Sequence, residues 1–546
     1  WDIISGDLTT NDPEKLKQAE SGGLTMDATG AENHCTILVI EPSPLERNML
    51  WAATDDGRVH ITRNGGQEWT EVTKNIKGLP AGSWIVQVKA SNKRQGEALL
   101  VANDYRRFNY EPYAYRTTDY GKTWERIVDA SDVESYTLSI VEDPENRNLL
   151  FLGTDDGLYI SLDAGTKWQK WTAGFPTVST KDLVIQPREQ DLVIGTFGRA
   201  AWVLDDIRPL RAIASDQSIL SRNIALFEPP TAYQAAYQQP SGSRFGADAM
   251  YHGENKRGGA MISYYFNKKE MPKPAKKDKK EAKDEAVKEE KKVKWDSIKL
   301  EVFNNGKLIR TLKNKAPKEN GIHRMYWRMD EKGSDRPSRT IRKRRREPGG
   351  MDVKPGIYEL KITYGDQTSQ TSIKVASDPR LKVSQKNIDE TYAAGKKLSD
   401  MSQTAADAVK QLVESKNAAT TYQKTLSKLD KKKHKDAIKA SKDIIKRIDE
   451  VIALYLGKVD KRQGITRNPE VTVMQRMGTA GWYVGSRQTG LTDTERQLMQ
   501  QAEDALKDAL DQTNTFFTDE WNAYRTNMEQ IDIKPFKETT SFQLND

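Results

Sequence analysis

The pattern of apolar and polar positions divides the chain into three stretches with different periods. Up to about residue 210 the apolar residues come in short runs broken by Asp-Gly and Asn-Gly turns, the signature of short strands joined in hairpins. Leu50–Ala53 runs into Asp55-Asp56-Gly57 and is answered by Val59–Ile61, and Leu150–Leu152, Asp155-Asp156-Gly157 and Leu158–Ile160 repeat that arrangement. From Gly259 the runs lengthen and alternate: Gly259–Phe266, Ile298–Phe303, Leu308–Leu312, Gly321–Trp327, Gly356–Thr363 and Gln370–Val375. Their spacing predicts an immunoglobulin-like β-sandwich. Beyond residue 383 the period becomes three-four. Ile388, Tyr392, Leu398, Met401, Ala405, Val409, Leu412 and Val413 share one helix face. Ile438 to Leu456 make a second helix that stops at Gly457, and a third opens at a Thr492–Glu495 capping box and runs on to Tyr524. Gly478, Gly481, Trp482 and Tyr483 are expected in a polar loop between the second and third helices of an antiparallel bundle.

Within the first stretch one octet recurs: Thr62-x-Asn64-x-Gly66-x-x-Trp69, Thr117-x-Asp119-x-Gly121-x-x-Trp124 and Ser161-x-Asp163-x-Gly165-x-x-Trp168. In this Asp-box turn the Asp or Asn accepts hydrogen bonds from the turn's own amides, the Gly tolerates positive φ, and the Trp packs between sheets. Recurrence every 40 to 55 residues or so predicts propeller blades. Blades are expected at about 34–79, 82–132, 133–176 and 179–208. Trp1-Asp2-Ile3-Ile4 matches the Trp-led strand that follows each box but has no box before it. The expectation is therefore a partial β-propeller over 1–210, an orphan outer strand plus four blades, its missing N-terminal blades lying upstream on the polypeptide or on a separate chain.

The remaining domains follow from composition: a connector over 211–258, the sandwich over 259–382, the helical bundle over 383–532 and a tail over 533–546. The sandwich holds a charged insertion, 268–294, whose Lys, Glu, Asp and Ala cannot bury a core, and an Arg-rich loop, 336–350. Arg336, Arg339, Arg342, Lys343, Arg344, Arg345 and Arg346 could grip a polyanion, but no aromatic residues interleave them, and a solvated loop is favoured over nucleic-acid binding. Net charge is +8, from 86 basic and 78 acidic residues, which is too mild to name a partner. No apolar run is long enough to span a membrane. With one cysteine, Cys35, the chain has no internal disulfide framework, and its five scattered histidines show no metal-ligand spacing, so neither a metal nor a cofactor is expected.

The boxes, the paired Thr-Asp-Asp-Gly hairpins at Thr54 and Thr154, and the Gly195–Asp206 segment resemble bacterial BNR-repeat proteins of the sortilin-type propeller group, often labelled glycosyl hydrolases or sialidase-like. The resemblance implies a propeller followed by a small β-sandwich and a helical C-terminal region, in a secreted or cell-envelope protein. Pro355–Tyr358 looks like the closing strand motif of that sandwich, whereas Phe197 stands where the group often has His.

Two chemistries compete for the face opposite the boxes. Asp55, Asp56, Asp155 and Asp156 are the carboxylates a glycosidase would need, yet Asp-Gly hairpins require such residues on turn grounds alone. Blade 2 instead carries an insertion there, offering Tyr105, Arg106, Arg107, Phe108, Tyr110, Glu111 and Tyr113, with Arg199 from the fourth blade, all suited to stacking and ligand recognition. The favoured expectation is a ligand- or protein-binding scaffold without catalysis in this segment, its ligand a glycan or a protein. The alternatives are a sialidase-like glycoside hydrolase whose site is shared with missing blades, and a subunit of a larger envelope assembly.

Overall fold

The computed structural model describes residues 1–17, 34–235, 256–268, 295–341, 346–429, 431–460, 471–486 and 490–531. The charged insertion beyond Lys268, residues 342–345 of the Arg-rich loop and the tail lie outside the described residues. The chain forms two compact units, one built on Trp1–Pro230 with Ser263–Ala275 and Pro317–His323, the other on the remainder.

The first unit holds four antiparallel sheets in chain order. Blade 1 is β1 (Ile37–Pro42), β2 (Leu50–Thr54), β3 (Val59–Thr62) and β4 (Thr70–Glu71). Blade 2 is β5 (Trp84–Ala90), β6 (Ala98–Asp104), β7 (Asn109–Thr117) and β8 (Glu125–Arg126), and blade 3 is β9 (Thr137–Glu142), β10 (Leu150–Thr154), β11 (Gly157–Ser161) and β12 (Gln169–Lys170). Blade 4 has three strands, β13 (Thr180–Gln186), β14 (Asp191–Thr196) and β15 (Ala201–Leu204). A short helix, α1 (Arg208–Ser215), follows.

Alternation along each strand gives every blade two apolar faces, so the cores lie between blades. Trp51, Ala53, Val59 and Ile61 of blade 1 pack on Ile85, Leu100, Tyr115 and Trp124 of blade 2. Leu99, Val101 and Ala114 of blade 2 pack on Ile140, Leu150, Leu152 and Trp168 of blade 3, and Leu149, Phe151, Leu158 and Ile160 of blade 3 pack on Leu183, Leu192 and Ile194 of blade 4. This is propeller-type stacking.

Each box closes in the same way. Thr62 Oγ1 donates to Asn64 at 3.0 Å and accepts from Gly66 N at 2.9 Å. Thr117 does the same with Asp119 at 3.0 Å and Gly121 at 2.9 Å, and Ser161 with Asp163 and Gly165 at 2.8 Å each. Left-handed backbone extends one residue earlier than the glycine, to Tyr120 (φ 64°) and Ala164 (φ 64°). Trp168 Nε1 donates to the Ile127 carbonyl at 2.7 Å, at the outer strand of the preceding blade. Trp69 Nε1 makes the corresponding bond to the Ile4 carbonyl at 2.8 Å.

After the blades, β16 (Ile224–Leu226) pairs with β18 (Ala260–Phe266) in a sheet of order β16-β18-β21, where β21 is Gly321–Trp327. A five-stranded sheet joins β17 (Ala232–Gln234), β25 (Gln367–Ser377), β24 (Gly356–Tyr364), β19 (Ser297–Asn304) and β20 (Lys307–Lys315), with β17–β25 parallel and the rest antiparallel. A ribbon of β22 (Asp330–Lys332) and β23 (Gly349–Asp352) completes the region. All six expected strands form, and Trp327 packs edge-on against Tyr358 with ring centroids 5.5 Å apart. These orders give a three-stranded sheet, a five-stranded sheet and a two-stranded ribbon, and do not assign them to the immunoglobulin topology.

The helical region holds α2 (Gln385–Leu429), α3 (Lys435–Leu456), α4 (Val473–Gly485), α5 (Asp493–Thr515) and α6 (Asn522–Glu529), with a π-helical turn at Phe516–Trp521. Gly457, at φ 75°, ends α3 as expected. The loop expected around Gly478–Tyr483 is instead helix α4. Thr472 and Gln475 cap it reciprocally, and Val473, Met477, Ala480 and Val484 bury one side of it, which outweighs the low helix propensity of its glycines. Of the described arginines in the Arg-rich loop, Arg339 is tied to the Gly457 carbonyl. No helix among the described residues is long and apolar enough to cross a membrane.

Candidate functional site

Because each blade is an antiparallel meander, its second-to-third connections leave from the end opposite the boxes. In blades 1 and 3 these connections are tight and their carboxylates are spoken for. Asp55 is 1 % exposed and accepts from Thr36 N at 2.8 Å and Thr36 Oγ1 at 2.9 Å. Asp56 accepts from Thr10 N at 2.6 Å, from Thr10 Oγ1 at 2.7 Å and from Thr54 Oγ1. Burial works against its ionisation, but these hydrogen bonds prevail and hold Asp56 below the usual carboxylate range. Asp156 accepts from Thr154 at 2.6 Å, Lys170 at 2.7 Å and Tyr159 at 3.3 Å. Here too burial is outweighed, by Lys170 and Thr154 first, and the carboxyl titrates low, while burial and Asp156 push the Tyr159 phenol up to about 12. Asp155 is exposed and faces the Tyr136 phenol, whose pKa burial and that hydrogen bond raise. A general acid needs a raised carboxyl pKa, and neither Asp56 nor Asp156 has one.

The blade 2 connection is built differently. Asp104 ends β6, a 3₁₀ turn covers Tyr105–Arg107, and Phe108 takes the left-handed conformation at φ 61° before β7 begins. Asp104 pins the turn, accepting from Arg107 Nε at 2.6 Å and Asn109 Nδ2 at 3.3 Å. Tyr113 is buried, its hydroxyl accepting from Asn109 at 2.9 Å and its ring lying under Arg126 at 4.9 Å. Glu111 pairs with Arg126 at 3.3 Å. Arg107, Glu111 and Tyr113 therefore build the loop.

The other members present themselves outward or stack. Arg106 lies 3.3 Å from the Trp84 ring centroid and 4.5 Å from that of Tyr105, and Tyr105 stacks on Tyr136 at 4.5 Å and 21°. Tyr110 lies 6.2 Å from Tyr136. The result is a ladder, Trp84–Arg106–Tyr105–Tyr136, running from blade 2 to blade 3. Arg106 Nε is buried without a hydrogen-bond partner among the described residues, and burial lowers the guanidinium's pKa while Tyr105, Tyr136 and Asp55 offset part of the shift. Phe108 and Tyr110 are 85 % and 55 % exposed beside it. Arg199 stands apart on blade 4, an exposed turn residue whose carbonyl accepts from Trp202 Nε1 at 3.0 Å.

Trp84 and Tyr136 escape the sequence reading because each stands at the start of an inner strand. A signal existed in the spacing: Tyr136 stands as far before Asp155-Asp156-Gly157 as Thr36 before Asp55-Asp56-Gly57, and in the structure Asp155 N bonds the Tyr136 carbonyl as Asp55 N bonds that of Thr36.

On the box face, Arg116 is 5 % exposed and bonds Glu142 at 2.8 Å and the Ala164 carbonyl at 3.1 Å, fastening blade 2 to the box of blade 3. No cluster of metal-ligating side chains is found among the described residues.

A family model described as sortilin, neurotensin receptor 3 (Sortilin-Vps10) matches residues 113–209, from the end of blade 2 through blade 4. No curated protein matches the chain. Among solved structures, a GH74 enzyme from Niastella koreensis is 18 % identical with a TM-score of 0.26, over 31 % of this chain and 28 % of that one. YCF48 from Cyanidioschyzon merolae is 18 % identical with a TM-score of 0.21, over 31 % of this chain and 56 % of that one. The GH74 xyloglucanase from Xanthomonas campestris is 15 % identical with a TM-score of 0.24, over 31 % and 29 %. The chain thus spans less than two thirds of each of these proteins. Residues 113–209 are similar to a propeller-type family built on the sheets described above.

Proposed function

We propose that the propeller blades act as a binding scaffold, with the blade 2 connection as the recognition element and a glycan or protein as its ligand. One observation carries this reading: the Asp55, Asp56 and Asp156 carboxylates are held by hydrogen bonds from Thr36 and Thr10 or by the Lys170 ion pair, whereas Arg106, Phe108 and Tyr110 hold apolar and cationic surface in excess of what their loop requires. Stacking on an aromatic platform beside a guanidinium suits sugar rings, aromatic side chains and carboxylates alike. Such a role belongs to a secreted or cell-envelope protein, which is the setting proposed for this chain.

The test is retention and turnover of a panel of neutral and acidic oligosaccharides by the same protein. The scaffold reading expects retention without hydrolysis, and retention that falls on Arg106→Ala. Hydrolysis abolished by Asp55→Asn or Asp155→Asn would establish the glycoside hydrolase instead.

A further inference from the structure

Charged side chains in and around the blade 2 connection are satisfied, with one exception. Asp104 holds Arg107 at 2.6 Å, Glu111 holds Arg126 at 3.3 Å, and Asp55 spends its oxygens on Thr36. Among the described residues Arg106 has neither a hydrogen-bond nor an ion-pair partner, and its Nε is buried. This sets it apart from the other arginines of the first unit. Arg58, Arg116, Arg147, Arg208 and Arg211 are likewise wholly or partly buried, and each meets a carboxylate at 2.6–2.9 Å: Glu71, Glu142, Glu97, Asp206 and Asp143 in turn.

A guanidinium drawn out of water keeps its charge and loses hydration, which in a folded chain a carboxylate ordinarily replaces. Around Arg106 the replacement is π surface alone: its Cζ lies 3.3 Å from the Trp84 ring centroid and 4.5 Å from that of Tyr105. Ring contacts use the flat faces of the group and leave its N–H edge, whose paired donors match the two oxygens of a carboxylate. Asp155, the exposed acid of the blade 3 hairpin, is engaged with the Tyr136 phenol. The cation is therefore fixed in place and short of one anion. In the same turn Phe108 leaves its ring 85 % exposed, and Tyr110 follows at 55 %.

Given the scaffold role, on which this assignment rests, we infer that the blade 2 connection recognises an acidic glycan: a uronate carboxylate pairs with the Arg106 edge, and the C–H face of the sugar lies on Phe108 and Tyr110. One uronate residue brings both groups the site lacks, an anion and a flat apolar face. An acidic side chain of a protein brings the anion alone and leaves both rings exposed. A neutral sugar covers the rings and leaves the guanidinium unpaired.

Equilibrium binding of tetragalacturonate, of its methyl ester and of tetraglutamate tests the assignment. The unaltered protein is expected to hold the acid about tenfold or more tighter than the ester, whose rings are the same but whose charge is gone. Arg106→Gln should abolish that preference, and Phe108→Ala should weaken both sugars. Because the preference is read first on the unaltered protein, it stands whether or not a variant folds. Equal affinity for acid and ester, with Phe108→Ala weakening both, overturns the acidic ligand and leaves the scaffold role standing. Tetraglutamate held through Arg106 with neither sugar held overturns the glycan and makes the ligand an acidic protein segment. Retention of none of the three overturns the assignment, and the scaffold role falls with it only if the wider panel of neutral and acidic oligosaccharides is not retained either.

Discussion

The connections of blades 1 and 3 leave the same face as that of blade 2, yet they spend their chemistry in opposite ways. Asp55, Asp56 and Asp156 turn inward to threonines and a lysine, so their charge is used in tying the hairpins to Thr36, Thr10 and Lys170. The blade 2 connection delegates closure to Asp104 and Asn109, which leaves Arg106 stacked and Phe108 and Tyr110 at the surface. Acidic residues beside a hairpin are thus poor witnesses for catalysis when the turn itself needs acceptors. Side chains that their own loop does not need are better witnesses for recognition.

The comparison breaks most severely where both kinds of hairpin share a support. Trp168→Ala empties a buried position between blades 2 and 3 and should cost about 3–5 kcal/mol in urea unfolding, taking both hairpin types with it. Asp156→Ala takes the acceptor from Lys170 and leaves Thr154 Oγ1 only the Gly157 carbonyl, and should cost about 1–3 kcal/mol. Arg106→Ala, which breaks no hydrogen bond within the described residues, should cost about 1 kcal/mol or less by the same measurement. A larger loss for Arg106→Ala than for Asp156→Ala would reverse the contrast.

Acid titration sharpens it. Asp56 and Asp156 have depressed pKa values in the folded chain. Their stabilising contributions are therefore complete above the unfolded carboxylate value, about 4, and are lost as pH falls through the lower folded values. Asp56→Asn with Asp156→Asn should flatten that acid limb of stability, and Arg106→Gln should leave it in place. The smallest expected effect is at Phe108. Glycine there removes a left-handed side chain at φ 61°, so Phe108→Gly should hold or raise stability by up to about 1 kcal/mol while weakening ligand retention.

The blades were legible because the box is a local device: Thr, Asp and Gly satisfy one another within five residues, and the fold of Thr117–Gly121 owes little to distant sequence. Helix α4 was not, because Gly478 and Gly481 read as breakers while the capping pair Thr472–Gln475 and the buried Val473, Met477 and Ala480 decide the matter. The candidate site was half legible. The Tyr105–Tyr113 cluster stands out as an insertion, but partner choice is tertiary: Tyr113 and Arg107 turn out to be supports, and Trp84 and Tyr136 arrive from strands remote in sequence.

The most direct test of the central claim measures oligosaccharide retention and hydrolysis in parallel on four variants, Arg106→Ala, Phe108→Ala, Asp55→Asn and Asp155→Asn. The account predicts no hydrolysis by any of the proteins, retention weakened about tenfold or more by the first two, and retention unchanged by the last two. Hydrolysis that the two Asn variants abolish, with retention indifferent to Arg106 and Phe108, would contradict it.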